Sequence, residues 1–288
     1  MKRFDAVASG LVALGLLLTG CEDMAVARNP LQLNPLDVNG RDGGGKPLDY
    51  PTLMRIGAAA HAGGDFATAV GVYRRAAEID ARAPAPFVAI ANTLVEMGQI
   101  NEAIVAYNSA LARNPHEAEA LRGQARAYLL TGKPQLAGEP LSVAFKETPD
   151  DPKLLQLIGV ADDFTGQHEE AQARYRRGLE LLPRDPGLSV NLALSLAVTG
   201  NFGEAIAVLT PIAMTPTGTP RERQTLALIY GLQGDRGQAE RLAKLDLDPQ
   251  SVQRNIAFYD TLRRLSPDAR AKAIQSLTAN PNNTGRAS

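Results

Sequence analysis

Apolar positions recur along this chain at helical spacing, in blocks of about a dozen residues that come in pairs. Phe87, Ile90 and Leu94 stand at i, i+3 and i+7, and Ala103, Tyr107 and Ala110 at i, i+4 and i+7. Each set predicts an amphipathic helix with one buried face. A glycine falls between the paired blocks: Gly64, Gly98, Gly132, Gly166, Gly200 and Gly234 are each 34 residues apart. With 26 glycines in 288 residues, one such match is about a one-in-eleven event, and five in succession are not chance. Alanine follows each glycine by five residues, at Ala69, Ala103, Ala137, Ala171, Ala205 and Ala239. A small residue precedes each by seven, at Gly57, Ala91, Ala125, Gly159, Ala193 and Ala227.

A unit of two short antiparallel helices accounts for this pattern. The glycine supplies the left-handed residue that ends the first helix. Asp65, Asn201 and Asp235 then cap the second, and Asn201 with Glu204 and Asp235 with Gln238 read as capping boxes. Pro115, Pro149 and Pro183 stop the second helix. Asp151-Pro152, Asp185-Pro186 and Thr219-Pro220 place a cap and a first-turn proline at the start of the next unit. Period, small positions, closing prolines and the aromatics Tyr73, Tyr107 and Tyr175 together resemble the tetratricopeptide repeat (TPR) over roughly residues 50–248. The resemblance implies an all-α superhelical solenoid of about six helix-turn-helix repeats. The third unit departs from it at Gln124 and Pro134, the sixth at Arg236 and Ala243; units two, four and five are expected to be the most regular.

A solenoid needs a cap over its last apolar face. Ser251 to Leu265 predicts such a helix, with Val252, Ile256, Tyr259 and Leu262 on one side. Ser266-Pro267 opens a further short helix to about Leu277, so residues 249–279 form a helical cap. Residues 280–288 read as a disordered tail.

The first 20 residues have a different character. Lys2 and Arg3 precede an apolar run from Ala6 to Leu18, then small residues before Cys21, which reads as a secretory signal. Leu18-Thr19-Gly20-Cys21 resembles the lipobox of bacterial lipoproteins. That resemblance implies cleavage before Cys21 and lipidation of its thiol, with more than one acyl chain holding the protein to a membrane. Residues 21–49, with Asn29-Pro30, Asn34-Pro35, Asn39-Gly40 and three consecutive glycines at Gly43, Gly44 and Gly45, read as a lipidated flexible tether. Leu31, Leu33 and Leu36 offer an alternative, a segment that orders on a partner.

Charge and chemistry narrow the function. Cutting before Cys21 removes Lys2, Arg3 and Asp5 from 30 basic and 31 acidic residues, leaving 28 and 30, a formal charge of −2. Nucleic acid is not an expected partner. Nucleotide-binding, zinc-protease and serine-hydrolase motifs are all missing, and no cofactor, metal or catalytic residue is expected. His61, His116 and His168 fall at unrelated repeat phases and read as surface or turn residues. The adjacent pairs Asp162-Asp163 and Glu169-Glu170 read as solvated faces.

What remains is surface. In TPR arrays the first helices line a concave groove that holds a segment of another protein. By repeat phase that groove here includes Asn92, Arg122, Arg126, Gln156 and Asn191, whose guanidinium and amide groups suit a peptide backbone or carboxylate. The stretch Val252-Gln253-Arg254-Asn255-Ile256-Ala257-Phe258-Tyr259 resembles the Asn-x-Ala-x-Tyr helix of TadD-like lipoproteins of the tight-adherence (Flp) pilus machinery. That similarity implies a periplasmic scaffold whose partners include a secretin or other pilus assembly proteins, with an adaptor for cell-wall enzymes as the rival. Glu22 in place of aspartate directly after Cys21 leans the expectation to the outer membrane.

Overall fold

The computed structural model describes residues 48–279. The signal segment, Cys21, the tether up to residue 47 and the tail from residue 280 lie outside the described residues. Among the described residues there are fourteen α-helices and no strand. Twelve follow one another as pairs: α1 (Tyr50–Ala62) and α2 (Phe66–Ile79), α3 (Ala85–Glu96) and α4 (Ile100–Leu111), and α5 (Ala118–Leu130) and α6 (Pro134–Glu147). Then come α7 (Pro152–Phe164) and α8 (His168–Leu181), α9 (Pro186–Val198) and α10 (Phe202–Ala213), and α11 (Pro220–Gln233) and α12 (Arg236–Ala243). Two further helices close the chain, α13 (Pro249–Arg263) and α14 (Pro267–Ala279). This is the all-α TPR solenoid class that the 34-residue period predicts. None of the described helices is long and apolar enough to cross a membrane.

Each pair turns where the glycine demands it. All six repeat glycines are left-handed, with φ from 68° at Gly132 to 100° at Gly234. A side chain there would clash with its own backbone, so the sequence period reports a backbone requirement. Helix starts are fixed by carboxylates. Asp49, Asp65, Asp151, Asp185, Asp235 and Asp248 each accept from backbone N–H groups of the following turn. The expected box at Asn201 does not form. The Asn201 amide donates to the Thr199 hydroxyl at 3.1 Å, and Glu204 is drawn instead to the Arg176 guanidinium at 2.8 Å. A charge-assisted pair outcompetes a neutral N–H for the same carboxylate. Asp235 caps the Gln238 N–H at 3.0 Å, but the Gln238 side chain turns to Arg241, so only half of that box is present. The reciprocal bond is found at Thr219, whose N–H donates to Glu222 at 2.6 Å.

Small residues set how closely the paired helices approach. A Cβ on Gly57 would lie 2.5 Å from the Tyr73 ring, and one on Gly159 would lie 2.5 Å from the Tyr175 ring. Between successive pairs, Tyr107 of α4 fills the space over Gly123 of α5. The departures in the third unit are absorbed. Gln124 is buried and donates to the Asn108 amide oxygen at 2.5 Å, and Pro134 sits at the first position of α6, where no N–H is needed.

The described chain divides into two compact units, residues 48–131 with 139–146, and residues 132–138 with 147–279. The division falls inside α6, whose interior carries Pro140. A proline there removes a backbone donor and crowds the preceding turn. The first unit is built on Val88, Ile90, Ala91, Tyr73 and Tyr107, with fully buried alanines at Ala69, Ala103 and Ala110. In the second, α9 is buried along its length from Leu188 to Val198. There α13 covers the last repeat: Val252, Ile256, Tyr259 and Leu262 are all buried, and the Tyr259 ring lies over Gly231.

Candidate partner-binding site

The residues singled out by repeat phase fall into two groups. In the first unit, Asn92 on α3 accepts from the Tyr107 hydroxyl at 2.6 Å and donates to Glu119 at 2.7 Å. Burial raises the Tyr107 pKa well above its ordinary value; Arg126 opposes that shift and Glu119 adds to it. The Arg126 Nε is buried and has no hydrogen-bond partner among the described residues. Arg122, one turn before it on α5, is half-buried. Asn92 of α3, Glu119 and Arg126 of α5 and Tyr107 of α4 thus make one polar cluster in this unit.

In the second unit, Gln156 on α7 leans on the first turn of α9, its Nε2 2.6 Å from where a Cβ on Gly187 would stand. Asn191 on α9 is 3% exposed, and neither its oxygen nor its nitrogen has a hydrogen-bond partner among the described residues. It lines a cavity of about 50 Å³, partly open to solvent, with Val160 and Phe164 of α7 and Leu194 and Val198 of α9 as apolar walls. Ala271 and Ile274 of α14 form another wall. The repeat phase of Asn92 and Arg126 is occupied by Val160 and Leu194 in the next two units, so one column of first-helix positions changes from polar to apolar along the chain.

A single carboxylate braces this pocket. Gly166 ends α7 with φ 83°, and the turn brings His168, first residue of α8, back over Asp163. The His168 Nδ1 lies 2.7 Å from Asp163 Oδ1, and the Ser195 hydroxyl donates to that oxygen at 2.7 Å. The Tyr175 hydroxyl donates to Asp163 Oδ2 at 2.9 Å. Asp163 thereby ties α7, α8 and α9 together. The hydrogen bond to Asp163 raises the His168 pKa above its ordinary value, and burial keeps the Tyr175 hydroxyl protonated as a donor. The neighbouring Asp162 is pushed up to about 6, chiefly by burial, with Arg174 opposing and Asp163 and Glu170 adding like charge.

Two sequence expectations are corrected here. Asp162-Asp163 is not a solvated face, because Asp163 is 18% exposed and fully engaged; Glu169 and Glu170 are exposed as expected. His168 is not merely a turn residue, since its ring is fixed by Asp163. Nor is the grouping of serine, histidine and aspartate a nucleophile arrangement. Both Ser195 and His168 bond the same carboxylate oxygen, so no imidazole nitrogen stands ready to take the serine proton. What the site offers is a braced apolar wall with one unsatisfied amide, which suits capture of a side-chain surface.

That geometry defines a helical-repeat interaction scaffold. The tetratricopeptide repeat family matches residues 88–152 and 159–212, so those stretches of the chain are tetratricopeptide repeats. Cellulose synthase 1 operon protein C of Komagataeibacter xylinus is 29% identical over 178 residues, 59% of this chain; the chain spans 13% of that relative's length. A tetratricopeptide repeat protein from Parabacteroides merdae has a TM-score of 0.61 at 17% identity, covering 75% of this chain and 86% of its own. PilW, a widely conserved type IV pilus biogenesis factor, has a TM-score of 0.64 at 17% identity, covering 71% of this chain and 96% of its own. At those identities the structures share the fold alone.

Proposed function

We propose that this chain is a lipid-anchored scaffold of the bacterial envelope that binds protein partners through its first-helix faces and helps assemble a pilus secretion machine. The observation that carries the binding role is the pair of buried, unpartnered polar groups on those faces, Arg126 Nε and the Asn191 amide. A buried polar atom without a partner is costly, and a binding protein that supplies the missing hydrogen bond gains the difference. TPR helical pairs are interaction scaffolds, and nothing in the arrangement around Asp163 activates a nucleophile.

The finer parts of the reading rest on sequence. Leu18-Thr19-Gly20-Cys21 supports lipidation at Cys21 and attachment at the periplasmic face, with the outer membrane favoured. The similarity of Asn255 to Tyr259 to TadD-like lipoproteins supports the tight-adherence pilus, with its secretin as the partner. PilW, a protein of the same fold, is a pilus biogenesis factor, and the proposal extends that role to this chain.

The test is affinity purification of the intact protein from detergent-solubilised envelope, followed by mass spectrometry, with Cys21→Ala as control. Recovery of a secretin or other pilus proteins, lost in the control, supports the assembly role. Recovery of cell-wall enzymes or of polysaccharide-synthesis proteins instead overturns the pilus assignment and leaves the scaffold.

A further inference from the structure

Helix α14 occupies the face on which a partner would bind. It packs on α9, and Ala271 and Ile274, three residues apart on one side of it, close the pocket against Val160, Phe164, Leu194 and Val198. Of its described side chains only those two are buried. Beyond them the helix is tethered at its start. The Ser266 hydroxyl accepts from the Ala269 N–H at 3.3 Å, and Arg270 donates to the carbonyls of Leu262 and Leu265, each at 3.3 Å.

The fit is incomplete in two ways. A cavity of about 50 Å³ remains between α14 and the wall, and Asn191, inside it, receives no hydrogen bond from any described residue. A native interior seldom tolerates both an unfilled pocket and an orphaned amide. The wall itself is well fixed, because Asp163 locks α7, α8 and α9 to one another. A rigid receptor thus holds a loosely matched occupant. The occupant also shows what the receptor takes. It is a helix presenting apolar side chains at i and i+3, with Asp268 in its first turn near enough to His168 to favour the charged imidazole.

We propose that this face is a helix-binding site for which α14 is a stand-in, displaced when a partner protein inserts a better-matched amphipathic helix. That helix carries a large aliphatic residue where Ala271 sits and an aliphatic residue three positions on. It also carries a hydroxyl or amide that reaches Asn191 and an acidic residue in its first turn facing His168. The inference rests on the reading of the chain as a partner-binding scaffold and adds where the partner docks and what it presents.

The probe is a fluorescein-labelled synthetic peptide of residues 266–279 carrying Ala271→Leu, and binding is followed by anisotropy with the full chain. Ile274→Asp in the full chain unseats its own helix, so this variant should bind the peptide about 10-fold or more tightly than the wild type, which must first release α14. Adding Leu194→Asp to that variant should abolish binding, and the peptide with the natural Ala271 should bind more weakly. Equal binding by wild type and Ile274→Asp overturns the proposal, as does absence of binding by Ile274→Asp that circular dichroism shows to be folded.

A measurement on the wild type stands independently of any variant. Hydrogen exchange should show the amides of α14 opening about 100-fold faster than those of α9, and equal protection of the two helices overturns the proposal. If pilus components co-purify with the intact chain while these tests fail, the scaffold reading stands and its partner docks elsewhere.

Discussion

Asn191→Leu should stabilise the protein. The asparagine is 3% exposed, its two polar atoms are unpartnered among the described residues, and its surroundings are Val160, Phe164, Leu194 and Val198. Leucine has a similar volume and removes two groups that must be stripped of water on folding. An unsatisfied buried polar group costs about 1–3 kcal/mol, and the pocket's partial opening to solvent places this site toward the lower end. The expected gain is therefore about 1–2 kcal/mol, which for a fold of this size raises Tm by roughly 3–6 °C. Asn191→Ala separates the two contributions, since it removes the amide but enlarges the pocket and should come out near neutral. Urea unfolding followed by helical circular dichroism gives the free energies, provided calorimetry shows one cooperative transition. A loss of more than about 1 kcal/mol in Asn191→Leu would refute the reasoning, because it would mean the amide is satisfied in the folded state. The same variant should recover less partner from solubilised envelope, so stability and binding move in opposite directions.

Gly159→Ala should destabilise by about 1–3 kcal/mol in the same unfolding assay, because its Cβ would stand 2.5 Å from the Tyr175 ring, whose hydroxyl is held by Asp163. Gly166→Ala meets no neighbour but must keep φ near 83°, so it should cost about 1 kcal/mol through the backbone alone. His168 has a folded pKa above 6.5, so its bond to Asp163 contributes stability that is complete below pH 6.5 and lost as pH rises through the folded value; His168→Gln should flatten that part of a stability–pH curve. Asp162, raised from 3.8 to about 6, acts in a lower window: ionising it costs stability between those values and the cost is constant above, so Asp162→Asn should gain about 1 kcal/mol at pH 7 after allowance for its partial exposure.

The repeat was legible because it is written in residues that have no substitute. A left-handed turn selects glycine, and a ring pressed on a helix backbone selects glycine or alanine beneath it, so Gly64 to Gly234 and Gly57, Ala91 and Gly159 stand out without any knowledge of the tertiary contacts. Asn191 was visible as a polar residue in an apolar helix. The bracing carboxylate was not. The phase of Asp163 carries His61, Val95, Leu129, Ala197 and Gly231 in the other units, so no column marks it, and beside Asp162 it looks like a charged surface. Its partners Ser195 and Tyr175 lie 32 and 12 residues away, and the packing of α9 on α7 and α8 is what brings Ser195 to it. The seat of α14 was hidden for a related reason. Periodicity after Ser266 indicates a helix, but which face covers which groove is decided by contacts distant in sequence.

The contrast between the wall and its occupant has an energetic consequence. Burying one isoleucine side chain is worth about 1.5–3 kcal/mol, and an alanine adds little. Against that stands the ordering of a short helix at the end of the chain, whose entropy consumes much of the gain. The net hold from these two side chains is therefore on the order of 1–2 kcal/mol, which lowers a competing helix's apparent affinity by roughly a factor of 10. The wall itself bears none of this adjustment, because moving α9 against α7 would break the Ser195 bond to Asp163, and moving α8 against α7 would break the His168 and Tyr175 bonds. Strengthening the occupant should consequently weaken partner binding without altering the receptor. Ala271→Leu in the full chain, which lets α14 fill its own pocket, is the change that tests this coupling. It should slow hydrogen exchange in α14 and reduce partner recovery in parallel, while leaving exchange in α9 as it was.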